Sequence, residues 1–231
     1  MSPDDLVASA GAQPLLLVAA LGALTLVPFA VMLVTSFVKI AVVLSMVRTA
    51  IGVPQIPPTL VVTGLSLLLT VQVMTPVARR VAASLETALT VPGDPTPEVG
   101  SEAWIARLAT AAPSAAEPVR TFLRRHAHPR ERAAFAGLGA RLDDGDAPPS
   151  KDSFSVLVPA FVLSELKEAF QIGFIVFLPF VVVDLAIANV LMALGMQMLS
   201  PTTISLPFKL LLFVLIDGWF QIVKGLMEGY A

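Results

Sequence analysis

Two stretches without a single charge, residues 6–38 and 49–78, precede a polar block and a second apolar region that reaches almost to Ala231. About 20 apolar residues suffice to cross a bilayer as a helix. The outer stretches therefore read as membrane helices, and the block between them as a small domain in water. That block, residues 79–153, holds 10 of the 15 Lys and Arg and 10 of the 17 Asp and Glu. Charged residues make up only 14% of the chain, against roughly 25% in an ordinary soluble domain. A soluble globule of 231 residues has no interior large enough to hide the remainder.

Four apolar segments emerge, at about 14–36, 56–78, 160–198 and 203–227. The expected fold class is an all-α membrane protein. Its four long apolar helical segments are kinked and hairpin-forming, with a small helical polar domain between the second and third. The expected domains are an N-terminal hairpin at 1–83, a polar domain at 84–153 and a C-terminal hairpin region at 154–231. The third segment is long enough for one bent helix or a helical hairpin. No segment repeats another, so the inverted-repeat signature of many carriers is missing.

The start, Met-Ser-Pro-Asp-Asp, is acidic. A secretory leader begins with basic residues, so residues 14–35 are expected to stay as a first helix. The loop between the first two segments carries Lys39 and Arg48 and no acid. Basic short loops face the cytoplasm. The N-terminus and residues 84–153 are then expected on the periplasmic side, because long loops cross regardless of charge.

Helical spacing runs through the polar block, in Trp104, Leu108 and Ala111, in Val119, Phe122 and Leu123, and in Phe135, Leu138 and Leu142. Prolines punctuate it at 92, 95, 97, 113, 118 and 129. Two or three short amphipathic helices are expected, with mobile flanks at 92–100 and 143–150.

The apolar segments hold prolines at 28, 76, 159, 179, 201 and 207, and charges at Lys39, Glu165, Lys167, Glu168, Asp184, Lys209 and Asp217. An unpaired charge in hydrocarbon costs at least ~2.5 kcal/mol. Broken helices with charges are tolerated where protein or a wet cavity surrounds them. This pattern fits a chain packed into a larger assembly.

Several chemistries find no support. Cysteine is absent and the net charge is -2, which leaves no thiolate site and no basic nucleic-acid footprint. His126 and His128, the two histidines, have no obvious acidic partner and read as an exposed loop pair beside Pro129. No G-x-x-x-x-G-K-[ST] phosphate loop appears. No Ser/His/Asp set sits in the apolar segments. No enzyme activity, metal or cofactor is expected.

One run is far more specific than any short motif. Residues 159–219 read PAFVLSELKEAFQIGFIVFLPFVVVDLAIANVLMALGMQMLSPTTISLPFKLLLFVLIDGW. A second run starts at Thr35-Ser36-Phe37-Val38-Lys39-Ile40 and continues through Val43-Leu44-Ser45 and Arg48 to Gly52 and Pro57-Pro58. Together they resemble the FliP/SctR/YscR family, core export-apparatus proteins of bacterial type III secretion systems, flagellar and injectisome. The likeness covers about 28–78 and 155–228. The chain departs from the family in Thr59, where Asn is common, and in Met196-Gln197-Met198, where many members have an unbroken methionine run. The detail of 184–217 is closer to the injectisome branch.

The resemblance implies a virulence- or flagellum-linked subunit of a protein-conducting gate in the bacterial inner membrane. Several copies would assemble with SctS-type and SctT-type membrane partners around exported polypeptides. It also implies that much of the complex stands above the bilayer plane. Met196 and Met198 are expected at the pore constriction, since unbranched thioethers adapt to a changing occupant. Core- or lipid-facing packing is the plainer use of two methionines. Lys209 is expected to pair with Asp184 or Asp217 and so fix subunit register; a proton relay is the competing role. Glu165, Lys167 and Glu168 are expected at a subunit contact, against a solvated helix end. Two other classes stay open: a small-solute or ion transporter, and a non-conducting scaffold that nucleates the apparatus.

Overall fold

The computed structural model describes residues 18, 21–22, 24–53, 56–90, 98, 100–142, 150–196 and 198–231. The described residues are helical, with turns and short links and no strand. In chain order the helices are α1 (Leu24–Leu33), α2 (Phe37–Ile51), α3 (Thr59–Leu89), α4 (Glu102–His126), α5 (Pro129–Leu142), α6 (Phe154–Ala193), α7 (Pro201–Leu215) and α8 (Gly218–Glu228). The first residues of the 14–36 segment, and most of the flanks at 92–100 and 143–150, lie outside the described residues.

The expected basic loop between the first two segments is a helix. After a 69° bend at residues 34–36 the chain enters α2, which contains both Lys39 and Arg48. The physical reason lies in the spacing of its apolar residues. Ile40, Val43, Leu44, Val47, Ala50 and Ile51 recur three and four apart and are all buried. They meet Val62 and Leu69 of α3, Ala169 and Phe180 of α6, Phe213 of α7 and Leu226 of α8 in one apolar core. Gly173 admits α2 to α6: a Cβ there would collide with the Met46 side chain. The short link to α3 is tied by Arg48, whose Nη1 donates to Thr59 Oγ1 at 2.9 Å.

Prolines interrupt fewer helices than the sequence pattern implies. Pro76 lies inside α3, which runs 31 residues and passes well beyond Arg79-Arg80. Pro113 and Pro118 lie inside α4, so two of the expected short helices are one helix of 25 residues. Its ends follow from its sequence. Ser101 accepts the Trp104 N–H at 3.1 Å, Glu102 opens the first turn, and Arg124, Arg125 and His126 close the last. These are the charges a helix dipole favours at each end.

The 160–198 segment is one helix as far as Ala193. α6 spans 40 residues and carries Pro159 and Pro179 within it. At 1.5 Å per residue it is about 60 Å long, twice the hydrocarbon thickness of a bilayer. Only 11% of its most apolar 18-residue stretch is buried inside the chain. The 203–227 segment is two helices, α7 and α8, bent by 57° at a break beside Asp217. By length and composition two helices, α3 and α6, are able to cross a membrane; each bent pair, α1 with α2 and α7 with α8, adds one if it forms a single span.

A second core joins the polar block to the apolar helices. Phe122, Leu123 and Ala127 pack on Leu157, Ala160 and Phe161 of α6 and on Val77 of α3. The base of α6 is thereby fixed between α2 on one side and α4–α5 on the other.

Candidate functional site

Lys39, in the first turn of α2, is only 2% exposed. Its Nζ lies 2.9 Å from Glu168 Oε2 and 3.4 Å from Glu165 Oε1. The two glutamates are three apart on α6, so both reach the same neighbour. Glu165 is 0% exposed. Its second oxygen accepts the Tyr230 hydroxyl, and Lys39 Nζ also stands 3.9 Å from the centre of the Tyr230 ring. Every group in this junction therefore serves another.

The rest of the Ser164–Glu168 segment turns toward the polar block. Ser164 Oγ accepts the His128 backbone N–H at 2.9 Å and donates to Ala160 O at 2.7 Å. Lys167 Nζ lies 3.3 Å from Glu131 Oε1 on α5. Glu168 Oε1 is 3.2 Å from His128 Nε2. The segment lies deep within α6, so neither a helix start nor a solvated helix end describes it. Burying a carboxylate is tolerated only when it is paired and hydrogen-bonded, and α2 supplies the cation.

The histidines need correction. His128 has an acidic partner in Glu168. His126 is half-buried at the end of α4, with its ring 4.7 Å from Phe122 and 5.1 Å from Tyr230. Burial, then the charges of Lys39 and Arg125, hold its pKa down to about 4 against the opposing pull of Glu168.

A second charged group lies further along α6. Lys209 Nζ on α7 is 2.6 Å from Asp184 Oδ2. Ser205 Oγ donates to the other Asp184 oxygen. Gly52, which closes α2 with φ of +90°, stands close to the Lys209 ammonium. Asp217 is apart from this group. It occupies the left-handed region at φ 51° just before α8, and its side chain makes no capping hydrogen bond. A short polar side chain tolerates that conformation.

Met196 and Met198 lie between α6 and α7, 48% and 100% exposed; Gln197 lies outside the described residues. The helix before them ends in a Schellman motif. The Met196 N–H donates to Leu191 O at 2.9 Å, and the Gly195 N–H donates to Met192 O at 3.0 Å. Gly195 supplies the left-handed φ of 71° that this motif needs. The turn thus projects its methionines away from both cores. Among the described residues no three His, Cys, Asp or Glu group as a metal site.

A profile of the FliP family matches residues 20–226. The chain belongs to the FliP family. Its relatives include the hypersensitivity response secretion protein HrcR of Ralstonia nicotianae, 40% identical over 90% of this chain and 93% of that protein. The Yop proteins translocation protein R of Yersinia pestis is 42% identical over 93% of this chain and 95% of its own. The flagellar biosynthetic protein FliP of Pectobacterium carotovorum is 45% identical over 91% and 76%. For this FliP-family chain, membership accounts for the specificity of the 159–219 run.

Sequence reasoning missed the junction around Lys39. It took Lys39 for a topology marker, passed over Tyr230 and Glu131, and left His128 without a partner. One signal was available. Lys39 and Arg48 are the two charges, both basic, of a segment whose apolar residues keep helical spacing, and Glu165 and Glu168 are a complementary pair three apart in a second such segment.

Proposed function

We propose that this chain is a gate-forming subunit of a type III secretion export apparatus, acting in several copies with SctS-type and SctT-type membrane partners to conduct polypeptides across the bacterial inner membrane. Family membership supports the apparatus; relatives named for hypersensitivity-response secretion and Yop translocation fit the injectisome branch, and a flagellar relative is just as similar. The observation that carries the gate is the turn at Gly195. It presents two exposed methionines, and the helix behind it is held by the Asp184–Lys209 ion pair. Repeated around an axis, such turns form a soft constriction that closes against water and ions and yields to a passing chain.

The remaining roles belong to the same reading. The 84–153 domain lies on the periplasmic side. Asp184 and Lys209, with Asp217 at the α7–α8 bend, set the register in which copies meet. Glu165, Lys167 and Glu168 act at the subunit contact by fixing α2 and α5 against α6. The large apolar side chains left exposed on α6 and α7, among them Phe170, Phe174, Leu185, Phe208 and Leu211, need a cover of lipid or protein.

The test is Met196→Ala with Met198→Ala in cells carrying the complete apparatus. Small-ion leakage across the inner membrane is expected. Unchanged conductance together with normal secretion overturns the gate and leaves a scaffold that assembles the apparatus without lining its path.

A further inference from the structure

α3 changes chemistry at one point. Residues 59–78 are uncharged, and Arg79-Arg80 follow at once. Beside that point α3 and α4 enclose a cavity of about 130 Å³. Its lining includes the apolar Val73, Val77 and Phe122 and the basic or ring-nitrogen side chains Arg80, Arg125 and His126; none of its lining residues is acidic. Among the described residues no carboxylate pairs with Arg80. Arg125 is steadied by its Nη2, which donates to Ala231 O at 2.8 Å. The His126 ring is held in the wall between Phe122 and Tyr230. Its low pKa, set first by burial and then by Lys39 and Arg125, registers positive charge that Glu168 does not cancel.

The geometry points to this pocket as a binding site for the phosphate of an anionic phospholipid. The guanidinium groups of Arg80 and Arg125 take the phosphate oxygens, a match of planar donors to that anion. Val73, Val77 and Phe122 receive the glycerol and the first methylenes of an acyl chain. Basic pockets at the ends of membrane helices recognise anionic head groups in this way. The apolar wall is what separates a lipid from free phosphate, which has nothing to place there. The site is independent of how the chain serves export.

The test uses the full chain in a neutral detergent, with thermal unfolding followed as dihexanoyl phosphatidylglycerol, dihexanoyl phosphatidylcholine or inorganic phosphate is added. Phosphatidylglycerol is expected to raise the midpoint by several degrees, and the other two by much less. Arg80→Gln, which removes no described side-chain hydrogen bond or ion pair, is expected to raise the phosphatidylglycerol concentration for half the effect about fivefold, and Arg80→Gln with Arg125→Gln at least about tenfold. Arg79→Gln with Arg130→Gln removes the same charge outside the pocket and is expected to leave the response unchanged. An equal response to phosphatidylcholine or to inorganic phosphate overturns the proposal. So does an unaltered response in Arg80→Gln, or an equal loss in the Arg79, Arg130 control.

Discussion

Removing the charge of Lys39 would leave Glu165, itself fully buried, without its cation. Breaking a buried pair from one side costs about 3–5 kcal/mol, because the remaining charge has no water to turn to. Lys39→Met is therefore expected to lower unfolding stability in detergent by that amount. Adding Glu165→Gln is expected to recover at least half of the loss, since an amide is cheaper to bury than an unpaired carboxylate. A loss below about 1 kcal/mol in the single variant would mean that the junction is wet. His126 carries a pH prediction. Its folded pKa of about 4 lies below the ordinary 6.5. Above pH 6.5 the ring is neutral folded or unfolded, and its full contribution is present. As pH falls from 6.5 to 4 the unfolded chain takes a proton that the folded one refuses, so stability falls across that window. Lys39, Arg125, Glu168 and Tyr230 surround the ring. His126→Gln is expected to flatten the thermal midpoint between pH 6.5 and 4 relative to the parent. Parallel pH profiles would contradict it.

At the scale of the helix, α2 is the element that sequence reading placed wrongly. A basic residue in a break between apolar runs marks a loop when nothing opposes it. Here a bend of 69° turns the chain back so that Lys39 meets acids 126 and 129 positions away, and no local pattern records that. The ends of α4 were legible, because capping and end charges are local. The merging of its two halves was not, because Pro113 and Pro118 are each tolerated where neighbouring helices hold the backbone in place. Two glycines test the elements directly. Gly173→Leu is expected to push Met46 out of the α2–α6 contact and cost about 1–3 kcal/mol by overpacking, read as a lower thermal midpoint. Gly195→Ala forces a Cβ into the left-handed region and is expected to cost about 1 kcal/mol. In an apparatus that exports normally, that strain falls on the methionine turn, and a change in ion leakage without loss of assembly would be its signature.

For the whole molecule, long uncharged stretches indicated membrane helices, and two runs of residues, around 35–58 and 159–219, carried the family. The methionine turn was singled out from the sequence, and the structure adds its exposure and its Schellman stop. The charged junction was hidden because it is assembled from four distant pieces: α2, the start of α5, the middle of α6 and the last residues of the chain. Two cores meet at α6, yet most of the apolar surface of α6 and α7 faces outward. A chain with that surface needs a cover, and the proposed gate would supply it as lipid, partner subunits and further copies. The decisive measurement is the native mass of the protein in mild detergent, alone and coexpressed with its small membrane partners. A discrete multi-copy complex that gains mass with the partners is the predicted result. A monomer or dimer whose mass ignores them would contradict the gate and return a solute transporter to consideration.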